Sequence, residues 1–304
     1  MPGRNKKSRS ATRQDKYDAA RAILERGLDH VSQDPETLAA YLRFRAHFRR
    51  FSARNTLMLL AQHAEARYCM GFRQWKAHGR QVRKGQRGLM IYVPRLKKLD
   101  AEEAARLGGQ EGERLRSGWL IAYLFDISQT EVVPECEATA LRYISPIPQL
   151  DGDDFAHLYD ELGAVAASLG FAVQQEEAIT QEGYCSHARQ VIGIRSGLTV
   201  HSKAATLAHE LAHAVAHQGC RGALSKAAKE LQAEGAAYLA CAALGLDTAK
   251  ASLPYLKHYA GEAETLGHHL GEIDRIAWRI VEAVEQVREH AAGVKVVGRL
   301  GAAA

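Results

Sequence analysis

The stretch TLAHELAHAVAH, Thr206–His217, sets three histidines and one glutamate at regular intervals in an otherwise apolar run. Residues four apart lie on the same helix face, about one turn from each other. A helix here therefore presents the imidazoles of His209 and His213 together, with Glu210 beside the first. This is the H-E-x-x-H arrangement, in which two histidines bind zinc and the glutamate acts as general base. Leu207, Ala208, Leu211, Ala212, Ala214 and Val215 are uncharged, as expected of a metal-bearing helix buried on one side. With 14 histidines in 304 residues, chance alone writes the pattern in roughly one such sequence in twenty. The competing reading is an alanine-rich helix that happens to carry histidines.

A second helix weighs against chance. In KELQAEGAAYLACAALGL, residues 229–246, Glu230 and Glu234 are again four apart, opposite an apolar side of Leu231, Ala237, Tyr238, Leu239 and Ala242. Catalytic zinc sites take a third protein ligand and keep the fourth position open. A carboxylate 17 or 21 residues after His213 is placed to supply it. The order Glu230-x-x-Ala233-Glu234 resembles thermolysin-like zincins, whose ligand glutamate lies one turn before an acid that hydrogen-bonds a zinc-bound histidine. Glu230 is thus expected as ligand and Glu234 as the orienting acid, with the reverse assignment left open. Two histidines and one glutamate suit Zn2+ best, although other divalent ions fit such donors. Zinc would polarise a carbonyl and acidify its water, and Glu210 would move the proton to a leaving amine. The expected reaction class is amide hydrolysis. His187, His201 and His217 are close enough in sequence to matter, and His187 or Tyr184 is a candidate transition-state donor against the plainer structural role.

The rest of the chain is charged very unevenly. Residues 1–100 hold 23 Lys+Arg against 8 Asp+Glu, whereas 101–304 hold 17 against 27. A chain split in this way usually has two tasks, and the basic part calls for a polyanion. Hydrophobic content of 46% and charged content of 25% are those of a globular protein without a membrane partner. The longest apolar run, AAYLACAALGL at 236–246, falls short of the roughly 20 residues a spanning helix needs. The N-terminus is basic and polar, which reads as a disordered tail over 1–14 rather than a secretory signal. Five scattered cysteines without CxxC spacing fit reduced thiols and a cytoplasmic location.

Periodicity predicts helices at about 15–31, 35–49 and 53–64, the last after Ser52. GFRQWKAHGRQVRKGQRG, 71–88, reads as loop or turn, and LMIYVP, 89–94, as a strand stopped by Pro94. Residues 118–128 read as its partner, with the polar segment between them a long hairpin insertion lacking core residues. ISPIPQLDGDD, 144–154, is the expected linker, which places a boundary near 150. A helix at 154–168, strands at 171–176 and 189–195, a helix from a Ser202 cap through His217, another at 225–245 and further helix over 250–290 complete the second part. The expected fold is α+β in two domains: helices on a small antiparallel sheet over 15–150, and a zincin-like metallopeptidase plan over 151–295.

In the basic part, Tyr41, Phe44, Phe48 and Phe51 form one helical stripe, read as core. Arg43, Arg50 and Arg54 fall on another side, available to phosphates. Arg73, Lys76, Arg80, Arg83, Lys84 and Arg87 cluster around Gly79, Gly85 and Gly88, and Trp75 and Phe72 are candidates to stack bases. Nucleic acid is the expected partner. No helix-turn-helix or finger pattern signals base-specific readout.

SARNTLMLLAQH (52–63), GFRQWKAHGRQVRKGQRGLMIYVP (71–94), FDISQTEVVP (125–134), LAHELAHAVAH (207–217) and KELQAEGAAYLACAALGLDT (229–248), taken in this order, resemble the plasmid antirestriction proteins of the ArdC type. The resemblance implies an N-terminal single-stranded DNA-binding domain joined to a zincin-like metallopeptidase domain, in proteins that shield DNA transferred by conjugation from host restriction. By position it implies His209, His213 and Glu230 as metal ligands and Glu210 as catalytic acid/base. Lys229 departs from the pattern, since relatives are expected to carry an acid there. Double-stranded DNA remains a possible partner. Two other readings stand beside antirestriction: a DNA-associated zinc protease, similar to IrrE-like zincins, that cuts a repressor or a restriction subunit, and a DNA-binding module with a structural metal.

Overall fold

The computed structural model describes residues 12–33, 35–137, 141, 150–151, 153–216, 224–260 and 266–292. The tail before residue 12, most of the expected linker, His217, Cys220 and the C-terminal GRLGAAA lie outside the described residues. The fold is α+β. In chain order come helices α1 (Arg13–Gln33), α2 (Pro35–His47) and α3 (Ala53–Gln62), then β1 (Cys69–Met70), α4 (Phe72–Ala77), β2 (Arg80–Val82), β3 (Leu89–Lys98), α5 (Ala101–Leu107), β4 (Arg114–Asp126) and β5 (Thr130–Val132). There follow α6 (Asp154–Ser168), β6 (Ala172–Glu176), β7 (Gly183–Ser186), β8 (Val191–Arg195), α7 (Val200–Ala216), α8 (Lys226–Leu244), α9 (Ala249–Ala260) and α10 (Leu266–Ala291). No described helix is long and apolar enough to cross a membrane. Cys69, Cys185 and Cys241 are free thiols.

The chain divides into two compact units: residues up to 27 with 54–142, and 28–53 with 143–303. In the first, β1, β4 and β3 form an antiparallel sheet with β4 in the centre, and β2 pairs with β5. Ala20 and Ile23 of α1 and Met58 of α3 pack on Met90, Tyr92 and Ile121 of this sheet. Strand β3 is not stopped by Pro94 but pairs through it to Trp119, with a register shift between Arg95 and Leu96. An edge strand tolerates proline because one side of its backbone needs no ladder partner. The polar residues of α3 occupy that side: Asn55 exchanges two hydrogen bonds with the Tyr92 backbone (2.7 and 2.9 Å), and Gln62 does the same with Met90 (2.8 and 2.9 Å). The edge is thereby closed to foreign strands. The expected loop at 71–88 contains α4 and β2, and the polar excursion contains α5. Asp100 caps α5 by accepting from the Glu103 amide, and Gly108 ends it at φ 68°.

In the second unit β8 lies between β6, which runs parallel to it, and β7, which runs antiparallel at the edge. Helices α7 and α8 pack on each other, and Ala208 and Ala212 of the one and Ala233 and Ala237 of the other are buried. Thr199 rather than Ser202 caps α7, its hydroxyl accepting from the Ser202 amide. Helix α2 groups with this unit, unlike the boundary near 150 read from the sequence. Its Arg45 is buried, holds both carboxylate oxygens of Asp274 at 2.6 and 3.0 Å, and stacks on Trp278. Tyr41 and Phe48 are buried as the stripe predicts.

Candidate metal centre and nucleic-acid surface

Helix α7 brings His209 and His213 onto one face, and α8 brings Glu230 opposite them. The two Nε2 atoms stand 3.1 Å apart, and Glu230 Oε2 lies 3.5 Å from that of His209 and 3.4 Å from that of His213. Three lone-pair donors thus converge on one point. A tetrahedral ion with bonds of about 2.0–2.1 Å needs ligand atoms about 3.3–3.4 Å apart, so the triangle fits a small divalent ion without rearrangement. Glu234, one turn along α8, takes no place in the triangle. Its Oε2 lies 2.9 Å from His209 Nδ1, where it fixes the ring and leaves Nε2 facing the triad.

The electrostatics follow from this packing. Burial disfavours a charged His209, but hydrogen bonds to Glu230 and Glu234 outweigh it and raise the imidazole to about 10 in the metal-free chain. Burial likewise opposes the charge of Glu230, yet the two histidines hold its carboxyl well below the usual range. Glu210 is 7% exposed, and burial pushes its carboxyl up. Strand β7 approaches it closely because residue 183 is glycine: a Cβ there would sit 2.6 Å from Thr206 Cγ2 and 3.2 Å from Glu210 Cγ. These groups line a cleft of about 930 Å³ that also includes Cys185, Lys226, Thr248 and Tyr255. Burial pushes Cys185 and Cys241 up to about 12, so both stay neutral thiols.

The remaining histidines and Tyr184 separate clearly. His201 Nε2 lies 3.0 Å from the Asp247 carbonyl oxygen, outside the triad. Tyr184 donates its hydroxyl to Glu176 at 2.5 Å. His187 lines the cleft, stands edge-on to Phe171, and has a buried Nε2 without a partner among the described residues. Sequence reading missed β7 and with it Gly183 and Cys185, because GYCS carries neither alternation nor β-branched residues.

The basic surface is sorted by exposure. Arg43 and Arg50 are exposed in the second unit; Arg54, Arg73, Lys76, Arg83, Lys84 and Arg87 are exposed in the first. Arg80 is half-buried, donating to Thr130 Oγ1 and the Leu141 carbonyl at 2.7 and 2.8 Å, so it fastens the β2–β5 pair. Trp75, expected to stack on bases, is 0% exposed; its indole N–H donates to the Phe125 carbonyl and its ring packs on Tyr68. It belongs to the core, and the exposed ring of this segment is Phe72. The FDISQTEV segment braces the glycine-rich loop from behind. Buried Asp126 accepts from the amides of Arg67, Tyr68 and Ser128, each at 2.8 Å, and Gln129 donates to the Arg87 carbonyl at 2.9 Å.

The model of the N-terminal domain of anti-restriction factor ArdC matches residues 18–120, and the IrrE N-terminal-like domain model of the M78 peptidases matches residues 167–271. An ArdC N-terminal-like segment thus precedes an IrrE-like segment in one chain, an order that supports an ArdC-type architecture. The Mn(II)-bound crystal structure of the antirestriction ArdC protein from the R388 plasmid has the same fold, with a TM-score of 0.52 and 18% identity over 91% of this chain and 99% of that chain. The metal-free structure of that ArdC protein matches with a TM-score of 0.47 and 21% identity over 81% of this chain and 87% of that one. The uncharacterized protein pXO2-81 of Bacillus anthracis is 25% identical over 313 residues, 91% of this chain and 52% of the relative. The chain therefore spans about half the length of the curated relative it matches.

Proposed function

We propose that this chain is an antirestriction protein that binds single-stranded DNA through the unit matched at 18–120 and carries a zinc metallopeptidase-type centre in the segment matched at 167–271. The observation that carries the reading is the presence in one chain of both matched segments and a convergent triad with a buried acid beside it. The R388 relative is named an antirestriction protein and holds Mn(II), which supports a divalent ion here. Two imidazoles and one carboxylate favour zinc. Such an ion, when bound, supplies Lewis acidity to a carbonyl or a water.

The protein's own groups do the rest. Glu234 accepts the Nδ1 proton of His209 and so keeps Nε2 free as a donor atom. Glu210, its carboxyl raised by burial, takes a proton at one carboxylate oxygen and passes it to a leaving amine. Arg54, Arg73, Lys76, Arg83, Lys84 and Arg87 supply phosphate contacts, which a double strand would engage as well. The protein works in the cytoplasm, where entering DNA meets restriction enzymes. A second reading, a peptidase that cuts a repressor, is favoured by the IrrE-like match.

Glu210→Gln separates the readings, because it removes the base and leaves the three ligands. Protection of DNA from a restriction enzyme is compared at equal concentrations of wild type and variant. Protection by both places antirestriction in DNA binding alone. Protection by wild type only makes hydrolysis part of the mechanism. Protection by neither overturns the antirestriction reading in favour of the repressor-cutting peptidase.

A further inference from the structure

Beyond the buried Trp75, the first unit displays aromatic rings that its core does not use. Phe72, at the start of α4, is 56% exposed, and Tyr123 of β4 is 39% exposed. Phe125, on the same face of β4 as Tyr123, meets Phe72 edge-on with ring centroids 6.4 Å apart. Gly88 lies between them: a Cβ there would stand 2.8 Å from Tyr123 Cβ and 3.3 Å from Phe125 Cζ. A side chain at 88 would push between the two rings, and glycine lets them form one continuous patch.

The support is rigid. Gly85 turns the loop at φ 89°, and the Arg83 amide and the Arg87 carbonyl are both bonded to Gln129, at 3.0 and 2.9 Å. Arg73 and Arg87 are the chain neighbours of Phe72 and Gly88. Arg73, Lys76, Lys84 and Arg87 are exposed, and none forms an ion pair among the described residues. Cations that neutralise no acid of their own beside solvent-facing rings match a ligand with both phosphates and open base faces. In a duplex those faces are stacked on each other; in a single strand they are available.

We infer that Phe72, Tyr123 and Phe125 form a stacking platform for the bases of single-stranded DNA, with Arg73 and Arg87 holding the flanking phosphates. The inference rests on the proposed DNA-binding role of this unit and states where the bases lie. Fluorescence polarisation of the full chain tests it with three probes: a thymidine oligonucleotide, an abasic strand with the same number of phosphates, and the matching duplex. Wild type binds the thymidine strand most tightly. Phe72→Ala and Tyr123→Ala each weaken it by roughly 5- to 140-fold and leave abasic binding unchanged. Phe72→Leu, which keeps apolar bulk without the ring, falls in the same direction, and Phe72→Tyr restores affinity. The double variant Arg73→Gln, Arg87→Gln flattens the salt dependence, which the ring variants leave intact. Ring variants that bind like wild type, or a wild type that binds the abasic strand or the duplex as tightly, overturn the platform while the DNA-binding reading stands. A wild type that binds none of the probes overturns both.

Discussion

Replacing Glu234 by alanine removes the acceptor 2.9 Å from His209 Nδ1 and leaves the three converging donor atoms of His209, His213 and Glu230 in place. Without that acceptor the imidazole can rotate, and its Nε2 lone pair no longer points at the triad by default. Loss of such a partner typically lowers metal affinity about 10- to 100-fold, or roughly 1.4–2.7 kcal/mol. Glu234→Gln retains a carbonyl acceptor in the same place and falls at the mild end. Glu230→Ala deletes a donor atom and is expected to lose more than either. Competition of the metal-free chain against a chromophoric chelator for Zn2+ at neutral pH reads all three affinities. Glu234→Ala binding like wild type would refute the orienting role, and Glu234→Ala losing more affinity than Glu230→Ala would exchange the two glutamates' roles.

Gly183→Ala puts a methyl 2.6 Å from Thr206 Cγ2 and 3.0 Å from the Gly193 carbonyl; thermal melts are expected to show a loss of about 1–3 kcal/mol. Trp75→Ala empties a fully buried site, so urea melts are expected to show a loss of about 3–5 kcal/mol, while the folded fraction keeps its affinity for single-stranded DNA. The metal-free chain is expected to lose stability on the alkaline side. His209 is raised from 6.5 to about 10 by the two glutamates against the effect of burial, so its stabilisation is full below the unfolded value and lost as pH rises through the folded one. Melting temperatures followed from neutral pH to above 10 should fall for wild type and stay level for His209→Gln.

The convergence of His209, His213 and Glu230 was legible because its information is local. His209 and His213, then Glu230 and Glu234, repeat at the helical period, and α7 and α8 need only pack together to bring them into register. The features that escaped depend on partners far along the chain. Whether Trp75 stacks on a base or fills the core is decided by Phe125 and Tyr68, and the place of α2 by Asp274, 229 residues from Arg45. Pro94 looked like a strand end because nothing near it tells that β3 lies at a sheet edge covered by Asn55 and Gln62. Helix α5 did carry a readable signal, Asp100 three residues before Glu103 and Gly108 at the end, but its polar composition hid the buried Leu99 and Ala104.

The central claim is tested most directly in a restricting bacterial host that expresses this chain and receives unmodified DNA either as a single strand or as a duplex. The account predicts higher survival of the DNA that enters single-stranded, with loss of that advantage in the Phe72→Ala, Tyr123→Ala chain. Equal restriction with and without the protein, for DNA delivered in either form, would contradict it.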